Sequence, residues 1–354
     1  MGCTFRATDS KPSENVSKVL RIGNVPTREG WFKLQFVSDH DGWLANGKNL
    51  WRTTDGGKNW ELAFSGEGSW GILDSIDSVE FINSQTGWML ARRIYKTVDS
   101  GNTWTRLSDP DVVLHSIHFL KDGERGWAAG EQYRPVSPKD AGAPSQLVSS
   151  DGKEVLYPAL FHTENGGATW SRQSLPSSEG RLLHLCFLDA DHGWACSDGE
   201  FFYLESGSNR WRLVDYSTSK CANRMLLETT EGNTESGVVH APAAIYFLDA
   251  SQGWLSFRNG YIAKSTDGGR TWCDLLDPKS IWPSANWQTF FAKIHFIDSM
   301  HGWGLGADGS LQETIDGGTS WRKVDMNVRF EDMCFLDKGN GWAIAREGLF
   351  RISP

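Results

Sequence analysis

The stretch from Phe36 to Trp60, FVSDHDGWLANGKNLWRTTDGGKNW, contains two short motifs that recur along the chain. In the first motif, a Phe is followed seven or eight residues later by the Trp of a Gly-Trp pair. It occurs at Phe36–Trp43, Phe81–Trp88, Phe119–Trp127, Phe187–Trp194, Phe247–Trp254, Phe296–Trp303 and Phe335–Trp342. The second motif is Thr-x-Asp-Gly-Gly-x-x-Trp. It occurs at Thr53–Trp60 and Thr314–Trp321, at Thr97–Trp104 with Ser100 for the first Gly, and at Thr163–Trp170 with Asn165 for the Asp. It also occurs in a shifted form at Thr266–Trp272, and in a degenerate form without the Asp at Glu205–Trp211.

The two motifs divide each repeat into four strands, labelled A to D. Strand A ends in the Phe, strand B starts at Gly-Trp, strand C precedes the second motif, and strand D begins near the second Trp. Apolar and polar residues alternate in these segments, which favours strands over helices. Seven four-stranded repeats predict an all-β, seven-bladed propeller.

The chain ends predict how the ring closes. The seventh repeat has strands A and B and then Leu349–Ile352 as strand C, but no strand D follows. We expect Val19–Ile22 to supply it, which would remove an exposed sheet edge. The expected organisation is a flexible tether over residues 1–18 and one propeller domain over residues 19–354.

The second motif has a structural explanation. An Asp in the C–D turn accepts hydrogen bonds from backbone N–H groups, and the glycines adopt positive φ at little steric cost. The Trp then covers the turn and buries a large apolar area. A structural role, not a catalytic one, is therefore expected for Asp55, Asp99, Asp267 and Asp316.

Composition narrows the possible functions. The net charge of −9 gives no global reason to expect nucleic-acid binding. No apolar run is long enough for a membrane helix. The chain has six Cys but no Cys-x-x-Cys pair, so no structural zinc site is expected, and no cofactor is predicted. Cys186 and Cys196 flank a tight turn, and their disulfide state stays open. His118 and His295 hold one position of strand A in two blades, which favours packing between blades over a metal ring.

The N-terminus predicts an exported protein. Gly2-Cys3 followed by a polar segment matches the processed start of a bacterial lipoprotein, so Cys3 is a candidate for lipidation. The alternative is an ordinary cytosolic start that carries a Cys. The lipoprotein interpretation implies an extracytoplasmic location, in the periplasm, in a lumen or at the outer membrane.

Together, the two motifs resemble those of the Asp-box, or bacterial neuraminidase repeat, superfamily, and more narrowly the photosystem II stability/assembly factor family. The resemblance covers residues 19–354. It implies a non-enzymatic lumenal protein that binds photosystem II assembly intermediates, although similar sequences occur in organisms without photosystems. The family carries an Arg-rich patch, for which Arg92-Arg93 is the best match in this sequence. The degenerate second motif in blade 4 and several long loops depart from the family pattern and leave the specific partner open.

One face of the propeller is predicted to bind a protein partner. The A–B and C–D turns are short, whereas the long segments 65–78, 131–157, 217–241 and 277–291 all fall on the opposite face, and elaborated loops on a rigid scaffold often carry function. Cations from the B–C turns share that face with aromatic residues outside both motifs, and arginines with aromatics are common interface anchors. The predicted partner-binding residues are Lys48, Arg92, Arg93, Arg134, Arg258, Arg346, Trp70, Tyr133, Trp282 and Trp287. Solvated turns that tolerate Arg, and tryptophans that pin their own loop, are the alternatives. The protein is expected to be a monomer.

A sialidase-type glycosidase is the main enzymatic alternative, and a carbohydrate-binding propeller without catalysis is a third. Sialidases carry Phe-Arg-Ile-Pro, and this chain has Phe350-Arg351-Ile352-Ser353-Pro354. That segment lies in an ordinary strand C at the C-terminus, and sialidases have six blades. No pair of carboxylates or Glu-Tyr pair suited to glycoside hydrolysis stands out, so no catalytic residue is predicted.

Overall fold

Seven four-stranded antiparallel sheets follow one another along the chain and form a β-propeller, as predicted. The structure is a computed structural model, and it describes residues 18–26, 32–66, 75–108, 110, 112–137, 149, 151–176, 182–197, 200–214, 242–258, 260–276, 290–337 and 339–353. These residues contain strands and no helix. The A strands of neighbouring blades contact one another around the whole ring, so they line a central channel.

In blades 1 to 6, strands A to D follow in chain order. Blades 1 to 3 contain β2 (Phe32–Phe36), β3 (Gly42–Asn46), β4 (Asn49–Thr53), β5 (Glu61–Ser65), β6 (Ser78–Phe81), β7 (Gly87–Ala91), β8 (Arg93–Thr97), β9 (Thr105–Arg106), β10 (Val113–Phe119), β11 (Gly126–Pro135), β12 (Glu154–Thr163) and β13 (Ser171–Gln173). Blades 4 to 6 contain β14 (Leu182–Phe187), β15 (Gly193–Ser197), β16 (Phe201–Glu205), β17 (Arg210–Leu213), β18 (Pro242–Phe247), β19 (Gly253–Phe257), β20 (Ile262–Ser265), β21 (Cys273–Leu276), β22 (Phe291–Phe296), β23 (Gly302–Gly306), β24 (Leu311–Thr314) and β25 (Arg322–Lys323).

Blade 7 joins the two ends of the described chain. Its strands A, B and C are β26 (Phe330–Asp337), β27 (Asn340–Ala345) and β28 (Gly348–Ser353), and its strand D is β1 (Lys18–Gly23). β1 pairs with β28 in antiparallel register, with Lys18 opposite Ser353. The predicted closure of the ring by an N-terminal strand is therefore confirmed.

The first motif builds the contacts between blades. The Trp of each Gly-Trp pair stacks on the Phe of the next blade, with ring centroids 3.5–4.3 Å apart, and Trp342 of blade 7 closes the series on Phe36 of blade 1. The Gly of the pair makes room for the Phe of its own blade. A Cβ at any of the seven glycines would lie 2.1–2.6 Å from that ring. The spacing of Phe, Gly and Trp is thus set by one continuous ring of aromatic packing.

The second motif forms a loop that we call the Thr-Asp turn, with the same hydrogen bonds in each complete copy. In blade 1, the Thr53 hydroxyl donates to Asp55 and accepts from the Gly57 N–H, while Asp55 accepts from the Asn59 N–H. These bonds hold the pKa of Asp55 near 2, chiefly through the Asn59 N–H. The second Trp then meets the Phe of its own blade edge-on.

Two copies differ from the sequence-based prediction. In blade 5, the Ser265 hydroxyl donates to Asp267 and accepts from the Gly269 N–H. This copy therefore starts at Ser265, which takes the place of the Thr, and not at Thr266, so its spacing is the same as in the complete copies. In blade 4, the strand pairing aligns Leu204 with the Thr position and Ser206 with the Asp position, one residue before the predicted start at Glu205. Without those two polar groups, the strands continue pairing and form a regular hairpin instead of a Thr-Asp turn.

Hydrogen bonds also connect neighbouring A strands. The residue before the Phe of strand A reaches the backbone of the Phe in the next blade: Gln35 bonds both N–H and C=O of Phe81, and Glu80 accepts from the Phe119 N–H. His118 contacts Glu80, with 3.2 Å between Nδ1 and Oε1, and stacks near Phe187. His295 stacks similarly on Phe335. Both histidines therefore take part in contacts between blades.

The Glu80–His118 pair predicts a pH-dependent stability. Burial raises the pKa of Glu80 to about 8 and lowers that of His118 to about 4, so the folded pair retains one proton between these values. In the unfolded chain the pKa is about 4.5 for Glu80 and about 6.5 for His118. Above pH 6.5 the unfolded chain therefore has no proton on either group, whereas the folded pair still holds one. Because a raised pKa stabilises only until pH passes it, we expect the free energy of unfolding to fall by about 2 kcal/mol from pH 6.5 to 8.

Glu80→Gln should abolish that fall, because glutamine needs no proton, and Gln35 shows that it satisfies the same backbone groups. Denaturant unfolding of both proteins across this pH range measures the effect. Parallel pH profiles for the wild type and the variant would contradict the assignment.

One further expectation is corrected by the structure, and one open question is answered. The segment 131–157 is not all loop, because residues up to Pro135 extend β11 and residues from Glu154 belong to β12, where they pair as a long hairpin. Cys186 lies opposite Trp194, and Cys196 lies opposite His184, so the two cysteines are not direct cross-strand neighbours, and both are free thiols.

Candidate functional site

The B–C turns, the ends of the D strands and the starts of the A strands lie on one face, which we call the loop-rich face. The A–B and C–D turns form the opposite face, which we call the turn face. Lys48, Arg92, Arg258 and Arg346 lie in or next to B–C turns of blades 1, 2, 5 and 7. Arg93 begins strand C of blade 2, and Tyr133 and Arg134 lie in the extended hairpin of blade 3. Trp70, Trp282, Trp287 and Cys3 fall outside the described residues.

These cations are not equivalent. Arg346 is paired with Glu331, with 2.9 Å between Nε and Oε1, so its charge is locally balanced. Arg134 stacks over the Tyr157 ring at 3.5 Å, while the adjacent Tyr133 is 53% exposed. Among the described residues, neither Lys48 nor Arg92 has a side-chain hydrogen bond or ion pair. Arg92 is exposed and has φ 60°, which turns the chain sharply between strands B and C.

Arg258 connects the B–C turns to the mouth of the central channel. It lies 5.9 Å from the Phe290 ring centroid, and its charge acts on His184, a residue of strand A in blade 4. The pKa of His184 is lowered to about 4, mainly by burial and then by the positive charges of Arg258 and Lys33. Lys33 comes from strand A of blade 1 and is exposed. We call Lys33, His184 and Arg258 the cationic mouth.

A third cation near the mouth, besides Lys33 and Arg258, is neutralised. Lys293 of blade 6 contacts Asp332 of blade 7, with 2.6 Å between Nζ and Oδ1. Asp332 is 6% exposed and also accepts the N–H groups of Met333 and, from blade 1, Leu34. One carboxylate thus connects three blades, and Lys293 adds little free positive charge to the mouth.

Arg258 was predicted from the B–C turns, whereas Lys33 and His184 were missed, because both lie within strand A and not in a turn. The missed signal is the position three residues before the Phe of strand A, which holds Lys33, Ser78, Ser116, His184, Ala244, Lys293 and Asp332 in blades 1 to 7. Within the described residues, no group of three or more His, Cys, Asp or Glu side chains is arranged to hold a metal ion. The same part of the chain contains no helix long and apolar enough to cross a membrane.

Comparison with known proteins supports the fold. YCF48 bound to D1 peptide matches with 20% identity and a TM-score of 0.64, over 99% of this chain and 100% of that chain. YCF48 from Cyanidioschyzon merolae matches with 17% identity and a TM-score of 0.62, over 95% of this chain and 98% of that chain. The GH74 xyloglucanase from Xanthomonas campestris has 14% identity and a TM-score of 0.55, over 92% of this chain and 55% of the enzyme. No protein-family model matches the chain, and no curated protein sequence does.

The likeness to YCF48, a photosystem II assembly factor, agrees with the resemblance predicted from the two motifs, and at these identities it concerns the fold. The xyloglucanase shows that the same architecture also occurs in enzymes. Fold alone therefore does not decide between binding and catalysis, and the functional argument depends on the residues of the face.

Proposed function

We propose that this protein is a non-enzymatic platform that binds an acidic segment of a protein partner on its loop-rich face. The observation that carries the proposal is the cationic mouth, where Lys33 and Arg258 place positive charge around His184 in a protein of net charge −9. Arginine side chains bind carboxylates with a directional fork, and a concentrated positive field steers an anionic partner.

The surrounding turns extend this binding surface. Lys48 and Arg92 lie on the same face with no side-chain ion pair among the described residues, and Tyr133 offers an exposed aromatic ring. Arg93, Arg134 and Arg346 add to the surface, although Arg346 is balanced by Glu331. Trp70, Trp282 and Trp287 are proposed as further anchors of the partner.

The structures compared favour a protein as the ligand. YCF48 has been solved bound to D1 peptide, and its fold spans the whole of this chain. By analogy, the proposed partner is a membrane-protein assembly intermediate that exposes an acidic segment. An extracytoplasmic site of action, attachment through a lipid on Cys3 and a monomeric state belong to the same proposal.

The geometry of the acidic residues favours binding over glycoside hydrolysis. A glycosidase needs two carboxylates free to act on either side of the bond. Near the mouth, Asp332 is held by Lys293 and two backbone N–H groups, and Glu331 is paired with Arg346. The sialidase-like Arg351 packs over the Trp342 ring at 4.0 Å, where it serves the blade interface. The complete Thr-Asp turns commit Asp55, Asp99, Asp267 and Asp316 to hydrogen bonds within their own loops, which supports a structural role for them.

Affinity purification from detergent-solubilised membranes of the host tests the platform. We expect the wild-type protein to retain a defined membrane complex, and Lys33→Glu/Arg258→Glu to retain less than a tenth as much, because reversed charges repel an acidic segment. Arg92→Glu/Arg93→Glu should weaken retention to a smaller degree.

The matched control is Lys58→Glu/Lys121→Glu, which reverses two exposed charges on the turn face and should leave retention unchanged. Equal loss in this control would assign the effect to net charge and not to the mouth. If the wild type retains no protein and instead hydrolyses an activated aryl glycoside, the platform proposal is wrong.

A further inference from the structure

A cavity of about 220 Å³ lies between blades 6 and 7 on the loop-rich face. Its walls are the B–C turn of blade 6, the connection over residues 324–329 from blade 6 to blade 7, and the B–C turn of blade 7. None of the three residues of the cationic mouth lines this cavity. It is therefore a separate candidate site on the same face.

Backbone hydrogen bonds fix the walls of the cavity. The Val324 N–H donates to the Leu311 carbonyl, and the Phe330 N–H donates to the Gly309 carbonyl, both at 2.9 Å. Both ends of the connection are therefore held against the B–C turn of blade 6. The backbones approach closely here, because a Cβ on Gly309 would lie 3.0 Å from the Phe330 carbonyl oxygen. The cavity is thus formed by the fold itself, before any ligand is bound.

Four charged side chains of both signs line the cavity. Lys323 and Arg329 are cations, and Asp308 and Glu347 are anions. Within the part of the chain that the structure describes, none of the four forms an ion pair. Arg329 donates from Nε to the backbone carbonyl of Asp308, at 2.9 Å, and not to its carboxylate. One carboxylate oxygen of Asp308 accepts from the Ser310 N–H and hydroxyl, which leaves the other oxygen for a ligand.

The balance of charge indicates the class of ligand. A simple anion would be attracted by the two cations and repelled by the two carboxylates, and a simple cation would meet the reverse problem. A ligand that carries both charges can satisfy the whole lining. Its carboxylate can accept from the lysine ammonium and the guanidinium fork, and its ammonium can donate to the carboxylates. Asn327 adds an exposed carboxamide that can both donate and accept.

The volume restricts the ligand to a small molecule. A protein cavity of about 150 Å³ accommodates benzene, so one of about 220 Å³ accommodates, in proportion, about nine non-hydrogen atoms. Serine, valine and asparagine are of this size or smaller. We propose that this cavity binds a zwitterionic α-amino acid with a small side chain. Lys323 and Arg329 bind its carboxylate, and its ammonium is bound by Asp308 and Glu347.

The methyl resonances of isotope-labelled methionine test the proposal by NMR. Met326 lines the cavity, whereas Met300 lies in an A–B turn on the opposite face and serves as the internal control. Their signals are assigned from Met326→Leu and Met300→Leu. Serine, valine and asparagine are added separately to the full chain. At least one is expected to shift the Met326 signal saturably, with a dissociation constant on the order of 1 mM, and to leave the Met300 signal in place.

Analogues that lack one charge test the ligand class. The titration is repeated with the deaminated acid and the decarboxylated amine of the amino acid that binds most tightly. For valine these are isovalerate and isobutylamine. Each analogue should bind at least about tenfold more weakly, because it leaves one pair of charged side chains without its partner.

Two variants and a matched control locate the site. Lys323→Gln and Glu347→Gln each remove one charge from the lining and should weaken binding at least about tenfold. Both side chains are exposed, so the melting temperature should hardly change. Asp325→Asn removes an exposed carboxylate from the same connection without changing the lining, and it should bind as the wild type does.

Three results would overturn the proposal. The cavity does not bind amino acids if none of the three shifts the Met326 signal up to about 100 mM, far above the expected dissociation constant. The ligand class is wrong if the deaminated acid binds as tightly as the amino acid. The location is wrong if Asp325→Asn weakens binding as much as Glu347→Gln does. Lys33→Glu/Arg258→Glu leaves the lining unchanged and should bind the amino acid normally, so the outcome is independent of partner retention.

Discussion

Trp254→Ala is expected to lower the free energy of unfolding by about 3–5 kcal/mol, the range for truncating a large buried aromatic residue. Trp254 is fully buried and stacks on Phe296 of the next blade at 3.7 Å. Its N–H donates to the Gly317 carbonyl, and Lys264 lies 4.7 Å from the ring centroid. The variant loses a contact that holds blade 5 to blade 6, and equilibrium unfolding in urea measures the cost.

Trp303 provides a matched comparison, because it stacks on Phe335 in the same way but its buried N–H has no partner. Trp254→Phe should therefore cost about 1 kcal/mol more than Trp303→Phe, the net value of one hydrogen bond. Equal losses would mean that stacking alone carries the blade contact. A loss below about 1 kcal/mol for Trp254→Ala would contradict the packing argument itself.

Asp332→Ala is expected to cost about 2–4 kcal/mol. Asp332 is buried and accepts from Lys293 and from two backbone N–H groups, one of which belongs to Leu34 in blade 1. Its removal leaves these donors unsatisfied, and a buried donor without an acceptor costs about 1–3 kcal/mol. The 44% exposure of the Lys293 side chain moderates the loss, because water can solvate part of that charge.

The additional change Lys293→Met should restore part of the lost stability, since it removes the unpaired cation. Glu347→Ala, at an exposed position of a neighbouring turn, serves as the control and should stay within about 0.5 kcal/mol of the wild type. If Asp332→Ala behaves like this control, the network does not connect the three blades energetically.

The fold was predictable because one physical arrangement is repeated seven times. The Phe, the Gly beneath it and the Trp from the neighbouring blade require one another, so a short motif determines both the strands and their packing. Ring closure followed from a missing strand D in the last repeat and an unassigned strand at Lys18–Gly23. The sequence failed at blade 4, where Leu204 and Ser206 permit strand pairing to continue, because loss of a turn motif does not specify the conformation that replaces it.

The site was less predictable than the fold. The turns that carry Arg92 and Arg258 were placed correctly, because strand order alone assigns each turn to a face. The cationic mouth depends on Lys33 in blade 1 and His184 in blade 4, which are about 150 residues apart in sequence and are brought into electrostatic range only by closure of the ring. No short sequence motif indicates that Lys33 and His184 lie near each other in the folded protein.

Blade 7 also determines which face of the propeller lies next to the ends of the described chain. Lys18 begins the outermost strand and lies opposite Ser353, so both ends of the described chain lie at the rim of the turn face. A surface linked directly to Lys18 or Ser353 would therefore lie on the side opposite the cationic mouth. A protein held at these two residues would present the loop-rich face outward.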